Sequence, residues 1–127
     1  MGQSLFNSGS VFNFFPPQNL IAGTTLNGPE FAIFNTNTAL ARANFGNTIV
    51  NGAIGSGTKV DFTSVINAGT QDAMVDYLNT YLLHGTMSSQ GKQSILTAMS
   101  AVGSSTKNQA RMALYLVLSS SQYQVQR

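Results

Sequence analysis

Between Lys107 and Ser120 apolar residues recur at helical spacing around most of the circumference. Ala110, Ala113, Leu114, Val117 and Leu118 fall on one face, flanked by Met112, Tyr115 and Leu116. A helix so apolar is unstable alone in water, so the pattern predicts a central helix covered by the rest of the chain or by a partner. Upstream, either Asn35 or Asn37 can cap a first helix over TALARANFGNTIVN that stops at Gly52. Leu40, Ala43 and Val50 share one of its sides, and Ala41, Phe45 and Ile49 the adjoining one. Gly46 in its interior costs about 1 kcal/mol relative to Ala, which predicts a neighbour approaching closely there. A second helix begins after Thr70, carries Asp72 in its first turn and ends before Gly85. Its stripe is Met74, Val75, Leu78, Tyr81 and Leu82, with His84 expected in the last turn. Ser88 or Ser89 opens a third, SQGKQSILTAMSAV, with Ile95, Leu96, Met99 and Val102 inward and Gly103 as its stop. Connections of about two to five residues make the last three helices antiparallel neighbours.

The remaining stretches follow other rules. Ser4 to Gln18 gathers Phe6, Val11, Phe12, Phe14 and Phe15 before Pro16-Pro17, and reads as a turn-rich aromatic strap laid across the helices. Packing is the expected use of its Phe side chains, an aromatic ligand platform the alternative. Asn19 to Asn35 reads as an irregular loop anchored by Phe31, Ile33 and Phe34. Gly52 to Gly57, GAIGSG, lacks the Lys-Ser/Thr of a P-loop and the preceding strand of a dinucleotide fingerprint, and is expected to be a linker. Lys59 to Ala68, with Val60, Phe62, Val65 and Ile66, fits either a short helix capped near Asp61 or a short strand. The tail offers Tyr123 and Val125 as final packing groups. The expected fold is thus all-α: a compact bundle of about four helices with an irregular aromatic-rich strap. It forms a single helical domain over 1–127, with strap and loop over 1–35 and the helical core over 36–127.

Composition narrows the chemistry. A chain of 127 residues is long enough to bury a core without staples, and it has no cysteine. Charged residues make up 8% of the chain, against about 25% in an ordinary soluble domain. The six basic residues are scattered from Arg42 to Arg127, so no phosphate-tracking stripe forms and nucleic acid is not an expected partner. No apolar run reaches the length of a membrane span, and MGQSLF has neither the basic nor the apolar region of a signal peptide. Glu30, the one acid among the first sixty residues, is expected to be hydrogen-bonded or paired with Arg42. His84 has no second His or Cys beside it, so its position at a helix C-terminus accounts for it better than metal binding or catalysis. No catalytic, cofactor-binding or metal-ligating residue and no cofactor are assigned.

Four stretches carry a family resemblance: GQSLFNSGSVFNFFPPQN, GPEFAIFNTNTALARANF, LLHGTMSSQGKQSIL and ARMALYLVLSSSQYQVQR. Together they resemble the C-terminal region of the bacterial domain of unknown function 1800, whose members are several times longer. The chain departs from the family at Phe15-Pro16-Pro17, where Phe-Ser-Pro is usual, and at Ser120-Ser121-Gln122, where Ser-Pro-Glu is usual. The resemblance implies an extracytoplasmic setting, because members often carry export leaders; it brings no agreed activity and no catalytic residues.

The expected role is a non-enzymatic helical module, structural or interacting, that packs on a longer parent chain or self-assembles at the cell envelope. One alternative is a wall of a larger envelope hydrolase. That would require His84 to meet a Ser and Asp72 or Asp76, yet Asp76 lies about two helical turns from His84. The other is a carbohydrate-binding module, which an exposed planar row of Tyr77, Tyr81 or Tyr123 would favour.

Overall fold

The computed structural model describes residues 6–52, 54, 55 and 57–124. Ser4 and Leu5 of the strap, Ala53 and Ser56 of the Gly-Ser loop, and Val125 and Arg127 of the tail lie outside the described residues. The fold class is all-α, with helices and no strand or sheet among the described residues. In chain order these are α1 (Thr36–Asn51), α2 (Thr63–Asn67), α3 (Gln71–Leu82), α4 (Ser89–Ala101), α5 (Thr106–Ser119) and α6 (Ser121–Gln124), preceded by a 3-10 segment at Pro29–Ile33. The contacts divide the chain into two units, one ending at Phe45 and one beginning at Gly46, so the division falls within α1.

The caps follow the side-chain chemistry. Asn35 Oδ1 accepts the Thr38 amide at 3.1 Å while Thr38 Oγ1 accepts the Asn35 amide at 2.9 Å, a reciprocal box that starts α1. The stretch after Lys59 resolves as helix α2: Asp61 Oδ1 accepts both the Thr63 amide and hydroxyl, which holds the Asp61 carboxyl below the usual carboxylate range. Thr70 Oγ1 accepts the Ala73 amide at the start of α3, and Ser88 Oγ accepts the Gly91 amide at the start of α4.

In the second unit these helices enclose one apolar core. Helix α5 packs against α2, α3, α4 and α6, and buries Ala110, Ala113, Leu114 and Val117. Opposite it lie Met74, Val75 and Leu78 of α3, Ile95 and Met99 of α4, and Val50, Phe62, Val65 and Leu83. The expected centrality of the Lys107–Ser120 pattern holds, with Leu118 half-buried. Two positions differ. Tyr81, placed on the α3 stripe by spacing, is exposed, while Leu83, one residue past the helix, is buried. His84 lies beyond α3 rather than in its last turn; His84 and Gly85 both have positive φ, 52° and 79°. Asn79 ties this reversal together. Its carbonyl accepts the amides of Leu83 and Gly85, and its Oδ1 accepts the Met87 amide at 3.0 Å. The tail after α5 folds back as one turn: Ser120 Oγ accepts the Tyr123 amide, Tyr123 packs on the core, and Gln122 Nε2 donates to the Thr86 carbonyl.

The first unit is a run of turns. Hydrogen bonds from Asn13 to Ser10, Phe15 to Phe12 and Asn19 to Pro16 close successive reversals. An isolated antiparallel bridge then pairs Leu20 with Asn27. Gly28 is buried against Ile21 and Phe31, so closely that a Cβ there would meet Ile21 Cγ1 at 2.5 Å. The expectation that the strap packs its Phe side chains is corrected here. Of the strap's rings Phe6, Phe12 and Phe15 are exposed and Phe14 is half-buried; in the following loop Phe31 and Phe34 are exposed, as are Leu40 and Phe45 on the predicted apolar sides of α1. A turn-rich segment of this length encloses too little volume to bury its own rings.

Candidate functional site

Among the described residues, polar and aromatic side chains able to bind or react gather at three places. The first is an ion cluster between α3 and α4. Lys92 Nζ lies 2.6 Å from Asp76 Oδ1 and 3.1 Å from Asp72 Oδ2. The hydrogen bond to Asp76, then that to Asp72, raises the Lys92 pKa above its ordinary value. Both carboxylates are thus engaged by one ammonium, and His84 is exposed on the turn beyond α3. Among the described residues, the Ser-His-Asp arrangement that the hydrolase alternative requires is not formed. Among the described residues, no group of three or more His, Cys, Asp or Glu could hold a metal ion.

The second place is the aromatic surface. Tyr77 and Tyr81 lie with centroids 4.4 Å apart but planes inclined by 36°, and Tyr77 and Tyr123 pack partly on the core. They do not make the planar row that sugar stacking would use. In the first unit the Arg42 guanidinium sits 5.3 Å from the centre of the exposed Phe34 ring. Glu30, its expected partner, is exposed in the first turn of the 3-10 segment.

The third place is a cleft of about 460 Å³ in the second unit. Two helices and one helix end build it. Asn47, Val50 and Asn51 come from the last turns of α1, Val102 caps α4, and Asn108, Arg111, Met112 and Tyr115 come from α5. Spacings of three and four residues put each helix's contributions on one face. Asn51 Nδ2 donates to Asn47 Oδ1 at 2.7 Å, which leaves the Asn47 amide as donor and the Asn51 carbonyl as acceptor. Arg111 Nε is shut off from solvent and has no hydrogen-bond partner. The observed ion pairs both belong to Lys92, so Arg111 has none among the described residues. A buried donor left without an acceptor costs free energy, which sets this side chain apart from an ordinary solvated arginine. Periodicity did not single out this cleft: in a helical pattern Arg111 reads as an ordinary polar flank.

A charge-poor all-helical protein with an enclosed C-terminal core, exposed N-terminal aromatics and an arginine-bearing cleft is what the geometry defines. The chain belongs to the family described as protein of unknown function DUF1800, whose model matches residues 1–125. Neither a curated protein nor a solved structure matches it. No helix among the described residues is long and apolar enough to cross a membrane.

Proposed function

We propose that this chain is a non-enzymatic helical interaction module of an envelope-associated or secreted bacterial protein, whose N-terminal apolar segment is covered by another protein surface. One observation carries the reading. Of the large apolar side chains exposed among the described residues, all but Ile54 and Tyr81 lie between Phe6 and Phe45, whereas every residue of the buried apolar core lies at or beyond Val50. The same residue types are sequestered in one unit and left in water in the other, and a concentration of exposed large apolar groups is the mark of a contact surface. The scarcity of charge supports this, since little repulsion opposes close approach of another chain.

Light scattering over a wide concentration range, with electron microscopy of the same sample, tests it. Growth into dimers or filaments, reversed by Phe12→Ser with Phe31→Ser, makes the covering surface a second copy. A monomer that binds an apolar dye through the same residues assigns the cover to a longer parent chain. A monomer that binds no such dye overturns the proposal.

A further inference from the structure

We propose that the Arg111 cleft binds a small organic carboxylate, its one anionic group held by the Arg111 guanidinium with the Asn47 and Asn108 carboxamides, and its apolar body lying against Val102 and Met112. The inference is independent of the apolar N-terminal surface and rests on the second unit alone. Among the described residues, Arg111 is the only charged one lining the cleft. Its Nε is shut off from solvent and has no hydrogen-bond partner among the described residues, and the guanidinium has no ion pair among them. A guanidinium with no counter-charge beside it can take one from a ligand through its terminal N–H groups, and a charge-assisted bond formed there is among the stronger polar contacts available.

The geometry also selects the class of oxyanion. The edge of a guanidinium presents two parallel N–H groups that match the two coplanar oxygens of a carboxylate. One guanidinium balances one negative charge, so a phosphate dianion would leave about one charge unpaired in a half-enclosed site. The three Asn residues add neutral donors and acceptors, suited to orienting a ligand without adding charge. The walls of Val50, Val102 and Met112 supply the apolar contact that a carboxylate's carbon body needs. At about 460 Å³ the cleft has the size of a small-molecule site.

Phenylacetate is the probe, added to the isotope-labelled chain at constant ionic strength while the side-chain Nε–H resonances of Arg42, Arg111 and Arg127 are followed by NMR. Loss of one resonance in Arg111→Lys assigns the Arg111 signal. That signal is expected to move saturably with phenylacetate in about the millimolar range, and to be unmoved by methyl phenylacetate. Arg111→Lys, checked for an unchanged thermal midpoint, should weaken binding by about tenfold or more because the two-pronged contact is lost. Asn108→Ala should weaken it by a smaller factor; it decides the matter if Arg111→Lys does not fold. Equal binding of the ester, unchanged binding in both variants, or no saturable shift overturns the site. Tighter binding of inorganic phosphate overturns the carboxylate class, and tighter binding of a peptide with a free C-terminus than of its amide or of phenylacetate overturns the small-molecule assignment.

Discussion

Replacing Gly46 by Ala should make this protein more stable. Gly46 lies in the interior of α1, where glycine is less favourable than alanine by about 1 kcal/mol because it loses more backbone freedom on folding. The residue is buried, which in many helices would mean that a side chain cannot fit. Here a Cβ would lie 3.9 Å from Leu118 Cβ and 3.9 Å from Tyr115 Cδ2, ordinary van der Waals contact. The added methyl therefore gains contact and burial without strain, contributing up to about 0.8 kcal/mol. Together the terms give about 1 to 1.8 kcal/mol, an increase of about 0.5 to 1 M in the urea midpoint at unchanged m-value. A neutral or destabilising result would refute the reasoning and show that α1 must come closer to α5 than this packing allows. Gly28→Ala is the matched contrast. Its Cβ would meet Ile21 Cγ1 at 2.5 Å and Phe31 Cδ2 at 2.8 Å, so a shift of the first unit, costing about 1 to 3 kcal/mol, is expected instead.

Three further outcomes follow from the packing and the charges. Met99→Ala, at a fully buried site in the second unit, should cost about 2 to 5 kcal/mol in chemical denaturation, whereas Leu40→Ala, at an exposed site on α1, should change stability by less than about 0.5 kcal/mol; equal losses would contradict the burial of one and exposure of the other. Asn79→Ala removes the acceptor of the Met87 amide and should cost about 1 to 2 kcal/mol, with faster hydrogen exchange at Met87 as its local signature. Lys92 holds its proton more tightly folded than unfolded, so its contribution is complete below the ordinary lysine value of 10.5 and fades as pH rises through the raised folded value. The difference in denaturation midpoint between the parent and Lys92→Met should accordingly be steady near neutrality and shrink in strong alkali; a gap that does not shrink would argue against the paired ammonium.

The helices were legible because their signals are local. Thr70, Ser88 and Asn35 cap where short polar side chains reach the third amide beyond them, and the faces of α3, α4 and α5 emerge from spacing alone. What failed to show was what depends on enclosure. Phe12 and Leu82 are both apolar residues in apolar neighbourhoods, yet one is exposed and the other packs on the core, since burial depends on how much chain folds over a residue. Tyr81 and Leu83 exchange roles for a related reason. Helix α3 stops at Leu82, Leu83 leaves helical geometry at φ −118° and is buried, and the chain reverses at His84 and Gly85; a stripe extrapolated at helical period cannot register that stop.

Arg111 marks the same boundary for chemistry. On α5 it adjoins Ala110, and any pattern of apolar and polar positions assigns it to a solvated edge. Its meaning comes from partners distant in sequence: Asn47 and Asn51 from α1 and Val102 from the end of α4 wall it in, and none provides the acceptor its Nε lacks. The scarcity of charge sharpens the point. With four acidic residues in the whole chain, two held by Lys92 and a third by Thr63, the composition leaves little with which to neutralise a guanidinium internally. Arg111 is accordingly left without an ion pair among the described residues, and that is why the ligand site proposed for this cleft is centred on it.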